Sequence, residues 1–172
     1  MSRRLKKKRI FTKKNYSSND GMMTSIWGPS MWHYLHTMSF NYPEHPTHDD
    51  KLHYMKFVKL LEHVLPCGKC RKNLRNNMKG LPITLDTMES RRTFSTYIYK
   101  LHEVINKMLG KKSGLSYCDV RDRYEMFRSR CSKKDDIETS EKGCVDPLKG
   151  RKSKCILKIV PQTHKCETLK II

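Results

Sequence analysis

The seven residues Leu65-Pro66-Cys67-Gly68-Lys69-Cys70-Arg71 restrict the fold more than any other stretch of the chain. They close an apolar run, so one helix must end there, and they open a basic, helix-compatible segment, so another must begin. Pro66 suits a helix start, where no main-chain N–H is needed from it. Two cysteines three apart at that boundary are placed to close a small disulfide ring in the first helical turn. A thiolate there is favoured by the helix's unsatisfied N–H groups and by Lys69, Arg71 and Lys72. On spacing alone the pair fits redox chemistry, half a zinc site or two buried thiols.

On either side of this turn the apolar residues recur at helical spacing. Folding should begin near Ile26-Trp27-Gly28-Pro29, with Gly28 as N-cap, Pro29 as the first helical residue, and Met31, Trp32, Leu35, Met38 and Ser39 facing inward. Asn41-Tyr42-Pro43 breaks that helix, and Thr47 with Asp50 resembles a capping box. A second helix carries Leu52, Met55, Phe57, Val58, Leu60, Leu61 and Val64, an apolar face broad enough to be largely buried. The third runs from Cys67 to near Met78 with Leu74 and Met78 inward, and Gly80-Leu81-Pro82 closes it. The fourth, from near Thr87 to Leu109, shows Phe94, Tyr97, Ile98, Leu101, Val104, Ile105 and Met108 in register, with Gly110 as a natural C′ residue. A short fifth, near Asp119 to Phe127, turns Val120, Tyr124 and Phe127 inward between Cys118 and Cys131. No strand-like alternation competes over residues 26–130, so the fold class is all-α, an antiparallel bundle with short turns.

At 172 residues the chain has room for one domain with a core plus tails. Three segments follow: a basic flexible arm over 1–25, a folded domain over 26–131, and a basic, cysteine-containing, mostly disordered tail over 132–172. The net charge of +19 calls for anionic neighbours. Residues 3–14 hold eight Lys or Arg and no acid, a possible polyanion contact that reads equally as a solubilising tail, a nuclear label or a mitochondrial presequence. No apolar run approaches the ~20 residues needed to span a bilayer, and no apolar stretch follows the basic start as a secretory signal requires. Seven cysteines without an export signal favour metal or redox chemistry over a passive disulfide framework. Cys144, Cys155 and Cys166 stand eleven apart, but their surroundings do not repeat.

A disulfide that is repeatedly reoxidised needs an electron acceptor, which protein side chains do not supply. Trp32 and His36 stand four apart on the first helix, and His102 and Asn106 four apart on the fourth. Each pair sets a flat or hydrogen-bonding group beside an apolar stripe, as a helix meets a planar ring with polar edges. Taken singly, each of these residues is also an ordinary core or boundary residue.

Three motifs occur in order: Trp32-His33-Tyr34-Leu35-His36; Pro66-Cys67-Gly68-Lys69-Cys70 with Leu74-Arg75 behind it; and His102-x-x-x-Asn106-x-x-Leu109-x-Lys111. With Tyr42-Pro43, Cys118 and Cys131, they resemble the FAD-linked sulfhydryl oxidases of the Erv/Alr family over about residues 26–131. The resemblance implies a four-helix bundle with a short fifth helix, FAD held non-covalently at the bundle mouth, a homodimer, and no metal. It makes Cys67 the thiol that exchanges with an incoming protein dithiol, and Cys70 the thiol against the flavin, forming the charge-transfer thiolate. Gly28, Trp32, His36, Tyr42, His102, Asn106, Leu109 and Lys111 are then the cofactor residues, with Tyr124 near the adenine. Cys118 and Cys131 would form a structural disulfide, and two of Cys144, Cys155 and Cys166 a shuttle. The implied activity oxidises protein dithiols and passes the electrons through FAD to molecular oxygen, giving hydrogen peroxide.

Three departures stand out. Gly28-Pro29 replaces the Gly-Arg of cellular members, as in the large-DNA-virus forms, and the absence of alanine also points to a viral genome. Glu103 follows His102 where the family has Asn, and the gap from Cys118 to Cys131 is short. A viral origin implies host cytoplasm or virion, and otherwise the mitochondrial intermembrane space. The rival from another class is a non-enzymatic, nucleic-acid-associating zinc protein using Cys67, Cys70, Cys118 and Cys131.

Overall fold

Short polar side chains fix most of the helix starts before any packing is considered. The computed structural model describes residues 12–130, 144–152 and 154–156. Its helices are α1 (Lys13–Tyr16), α2 (Thr24–Phe40), α3 (His48–Val64), α4 (Gly68–Gly80), α5 (Arg91–Met108) and α6 (Tyr117–Glu125), with a 3-10 turn at Asp86–Met88. Reciprocal capping boxes open α1 (Thr12 with Asn15), α3 (Thr47 with Asp50), α5 (Ser90 with Thr93) and α6 (Ser116 with Asp119). Gly110 adopts φ +67 just past α5, the left-handed stop expected there.

The start of α2 departs from expectation. Gly28 is not its N-cap and Pro29 is not its first residue: the helix begins at Thr24, inside the stretch assigned to the arm, and Pro29 lies within it. Proline there removes one main-chain bond. Trp27 offsets the loss by packing against the core and donating its indole N–H to the Met22 carbonyl at 3.1 Å.

The core gathers Leu35, Val58, Leu61, Leu74, Met88, Phe94, Ile98 and Leu101, where α2 meets α5, α3 meets α4, and α4 meets α5. Each fully buried side chain of this kind contributes roughly 1.5–3 kcal/mol. The apolar face of α3 is narrower than its sequence suggests, because Leu60 and Val64 are 55% and 65% exposed. Phe127 is half-exposed outside the core, its ring edge-on to His33 and Tyr124.

The all-α expectation holds for the domain, with one short addition among the described residues. Ser129–Arg130 (β1) pairs antiparallel with Asp146–Pro147 (β2), tying part of the tail to the end of α6. Arg128 secures the join by donating to the Phe40 carbonyl at 2.7 Å and to the Glu125 carboxylate.

Candidate active site

Cys67 is the N-cap of α4, extended at φ -158 and ψ 114, and its Sγ accepts the Cys70 main-chain N–H at 3.2 Å. The two cysteines form a disulfide, so the ring spans the helix boundary as the spacing requires. They face differently. Cys70 packs on the core and lines a cavity, whereas Cys67 is not among the residues lining that cavity.

The cavity has a volume of about 550 Å3 and lies between α2, α4, α5 and α6. That size falls in the range of roughly 300–1,000 Å3 usual for small-molecule sites. Leu35, Leu61, Leu74 and Leu101 supply apolar walls from the core. On one side the rings of Trp32 and His102 stack face to face, centroids 4.0 Å apart and 6° from parallel. His36 Nε2 and His102 Nδ1 share a hydrogen bond at 3.0 Å, so α2 and α5 meet through two imidazoles. Tyr124 from α6 bonds His33 Nδ1 at 3.3 Å, and Glu103 accepts an Asn106 amide N–H at 3.0 Å.

Burial favours the uncharged forms of His36, His102 and Tyr124. The His36 imidazole is lowered from its usual 6.5 to about 4, first by desolvation and then by His102 and His33. His102 is lowered too, mainly by desolvation, with Glu103 opposing and Lys111 reinforcing. Burial raises the Tyr124 phenol to about 12, so it keeps its proton as a donor. Each neutral imidazole has one N–H and one bare nitrogen, so within the His36–His102 bond one donates and the other accepts.

His36 Nδ1 is left buried with no hydrogen-bond partner among the described residues. An orphan of this kind costs roughly 1–3 kcal/mol unless something bonds it. A flat apolar cavity with a stacked aromatic wall, an unmet imidazole nitrogen, and Asn106 and Lys111 on its lining fits a planar heteroaromatic ring with polar edges and an anionic extension. FAD has that form, and the residues present fit it.

Nine residues expected at the site line this one cavity: Gly28, Trp32, His36, Cys70, His102, Asn106, Leu109, Lys111 and Tyr124. Tyr42 does not. It is fully buried in the core, where its hydroxyl donates to the Met88 carbonyl at 2.8 Å and its ring packs edge-on against Tyr54 and Phe94. The sequence reading also missed contributors. Trp27, His33 and Asn73 line the cavity, and His33 was legible as the middle of the Trp32–His36 motif.

The distal cysteines need correction. Cys118 is a free, exposed thiol, so the expected Cys118–Cys131 disulfide is not formed. Cys144 is disulfide-bonded instead, and its carbonyl accepts the Ser129 hydroxyl at 2.9 Å. Cys155 is exposed and free, while Cys131 and Cys166 lie outside the described residues. With Cys67 and Cys70 joined to each other and Cys118 unpaired, the four-cysteine zinc reading has no support.

The Erv1 / Alr family model matches residues 29–125. A probable FAD-linked sulfhydryl oxidase of Acanthamoeba polyphaga mimivirus is 37% identical over 104 residues, covering 60% of this chain and 72% of the relative. The mitochondrial FAD-linked sulfhydryl oxidase of Saccharomyces cerevisiae is 29% identical over 84 residues, covering 49% and 43%. The FAD-binding domain of yeast Erv1 superposes with a TM-score of 0.54 at 25% identity, covering 60% of this chain and 94% of that domain. The match spans the cavity from Pro29 to Tyr124 and includes both cysteines of the helix-capping disulfide, and on that ground the chain belongs to the Erv1/Alr family.

Proposed function

We propose that the chain is an FAD-dependent thiol oxidase that forms disulfide bonds in substrate dithiols. The observation that carries this reading is the position of Cys70, which is half of a disulfide and also part of the wall shared by Trp32, His36 and His102.

A substrate thiolate attacks Cys67 Sγ; the Cys67–Cys70 bond breaks, and Cys70 leaves as a thiolate carrying the electron pair. The second substrate thiol, once deprotonated, attacks the mixed disulfide and releases Cys67. The substrate has then lost two electrons and two protons, and the pair is reduced. Bound FAD would supply the two-electron acceptor needed to reoxidise the pair, with oxygen as the final acceptor and hydrogen peroxide as the product. The N-terminal end of α4 favours negative charge on sulfur at this turn, where the Cys70 N–H already donates to Cys67 Sγ. Trp32 and His102 would hold the FAD ring, His36 and Asn106 would bond its polar edges, and Lys111 would meet its anionic part.

The homodimer belongs to this reading through an exposed apolar strip. Tyr34 of α2 contacts Phe57 of α3 with ring centroids 6.0 Å apart, and Leu60 and Val64 extend that face by one turn each. Charged variants at Leu60 and Val64 should convert a dimer to a monomer in light scattering. Among the tail thiols Cys155 is free to act as a shuttle, with Cys166 as its possible partner, so deleting 153–172 should slow oxidation of a protein dithiol but not of dithiothreitol. The polyanion contact of the basic arm falls almost wholly outside the described residues. No helix among the described residues is long and apolar enough to cross a membrane, and viral and mitochondrial relatives support the virion, host-cytoplasm and intermembrane-space readings alike.

The decisive experiment pairs an absorbance spectrum with oxygen consumption. The purified protein should carry flavin absorbance and consume oxygen with dithiothreitol; a colourless protein inert after FAD addition overturns the proposal.

A further inference from the structure

Cys67 is held from a direction that neither helix supplies. The segment before α2 passes across it: the Met22 N–H donates to the Pro66 carbonyl at 2.7 Å, and the Met22 carbonyl accepts the Trp27 indole N–H at 3.1 Å. Gly21 makes this crossing possible. A Cβ on Gly21 would lie 2.9 Å from Cys67 Cα, 3.0 Å from the Pro66 oxygen and 3.4 Å from Cys67 Cβ. The first two are main-chain atoms, which cannot rotate aside. Gly21 is not among the described glycines with positive φ, which are Gly110, Gly114 and Gly150, so glycine is required there for space and not for backbone conformation.

The oxidation cycle gives this crossing a use, and the inference rests on the thiol-oxidase reading above. While the disulfide is closed, the sulfur bridge ties Cys67 to α4. Once substrate sulfur bonds to Cys67 and Cys70 departs as a thiolate, that tie is gone. Cys67 is an extended N-cap residue, preceded by a proline that has no N–H to give. Its remaining ties are its own N–H to the Leu65 carbonyl at 2.7 Å, its carbonyl to the Arg71 N–H at 3.0 Å, its Sγ to the Cys70 N–H at 3.2 Å, and the Met22 bond to Pro66. Of these, the Met22 bond alone joins this turn to a segment distant in sequence.

We propose that residues 20–23 are a positioning strap for the exchange cysteine, with Gly21 as the residue that lets the strap seat. The strap holds the Pro66–Cys67 main chain through the mixed-disulfide and dithiol stages, so that Cys67 Sγ stays where Cys70 can recapture it. Gly21 is a positioning residue. It touches neither substrate nor cofactor, and acts through Cys67.

Two full-length variants attack the strap in different ways. Gly21→Ala drives a methyl group into Cys67, and Met22→Pro removes the N–H that bonds Pro66; Met22→Leu restores that N–H and serves as the rescue. The measurements are kcat and KM for dithiothreitol by oxygen uptake, flavin content, thermal midpoint, and the equilibrium of the Cys67–Cys70 pair against glutathione. Loss of one such tie should lower kcat about five- to tenfold and shift the glutathione equilibrium by a similar factor toward the dithiol. KM and flavin content should hold, and Met22→Leu should regain both values. An unshifted glutathione equilibrium in Gly21→Ala and Met22→Pro overturns the strap, whether or not their thermal midpoints fall. A rise in kcat/KM also overturns it, since the segment would then be screening Cys67. If the unaltered protein fails to oxidise dithiothreitol, the thiol-oxidase reading falls, while the glutathione equilibrium still decides the strap.

Discussion

The cavity side of the bundle and the α6 flank treat their polar groups in opposite ways. On the flank nearly every one has a partner: Arg128 bonds both the Phe40 carbonyl and Glu125, Ser116 and Asp119 cap each other, Ser95 meets the Tyr117 hydroxyl at 2.8 Å, and Tyr99 meets the Leu115 carbonyl at 2.8 Å. On the cavity side His36 Nδ1 is buried and unmet, two imidazoles are held neutral by desolvation, and a disulfide sits where a helix would otherwise have an ordinary cap. One region is arranged to hold its shape. The other is left incomplete in the way a binding and redox site must be, with groups that only a ligand or substrate finishes.

The sharpest way to break this division is to change one cysteine on each side. Cys70→Ser should cut oxygen consumption with dithiothreitol by about a thousandfold or more, because no thiolate then reaches the cavity. Cys118→Ser, at the exposed start of α6, should leave the rate unchanged. A comparable loss in both variants would place redox work on the flank and erase the distinction.

The pH dependence of stability offers a smaller but independent contrast. Folded His36 titrates near 4 and unfolded His36 near 6.5, so between those values the unfolded chain binds a proton that the folded one refuses. Stability from this residue is therefore complete above pH 6.5 and is lost as pH falls toward 4, by up to roughly 3 kcal/mol in the apoprotein. Urea unfolding at pH 7 and pH 4.5 should show that fall, and His36→Asn should remove most of it. An identical slope in the variant would mean that the cavity imidazole is not the strained group.

Much of this was readable in the chain, and what was not has a physical cause. Thr47 and Asp50, Gly110, and the long apolar register of α5 are local signals, and local chemistry decides them. The Cys67–Cys70 turn was legible for the same reason. Gly28-Pro29 is also a local signal, but here it misled, because Trp27 packs its partly buried ring against the core and anchors its indole to Met22, and that contact carries the helix past the proline. Tyr42 stands next to a site motif, yet its hydroxyl finds Met88, 46 residues away, a pairing no periodicity reveals. Cys118 was assigned a disulfide by family likeness, whereas its thiol is free and Cys144 carries one in the β-paired segment. The capping boxes at Ser90 and Ser116 carry the same local signal as the one at Thr47.

On the flank the expected effects are on stability rather than turnover. Arg128→Ala leaves the Phe40 carbonyl and the Glu125 carboxylate without their shared donor, which should cost about 1.5–3 kcal/mol, the range for hydrogen bonds to charged groups. Calorimetry should show the lower midpoint, while dithiothreitol oxidation at 25 °C continues at the usual rate. A collapse of turnover at full stability would mean that the flank shapes the cavity directly, through Tyr124.

Ser116→Ala is the finest probe, because it removes a side chain that touches only its own helix start. Its hydroxyl accepts the Asp119 N–H at 3.2 Å and donates to the Asp119 carboxylate at 2.6 Å, so its loss frees one end of the box and should cost about 1 kcal/mol. That loss should appear as faster amide exchange confined to the first turn of α6, since the cap satisfies donors there and nowhere else. Tyr124 lies at the far end of the same helix and lines the cavity, so flavin affinity reports whether the fraying travels. With α6 held at its C-terminal end by Arg128, exchange should rise at residues 117–119 while flavin affinity holds, and a joint change would show that the two sides of the molecule share one cooperative unit.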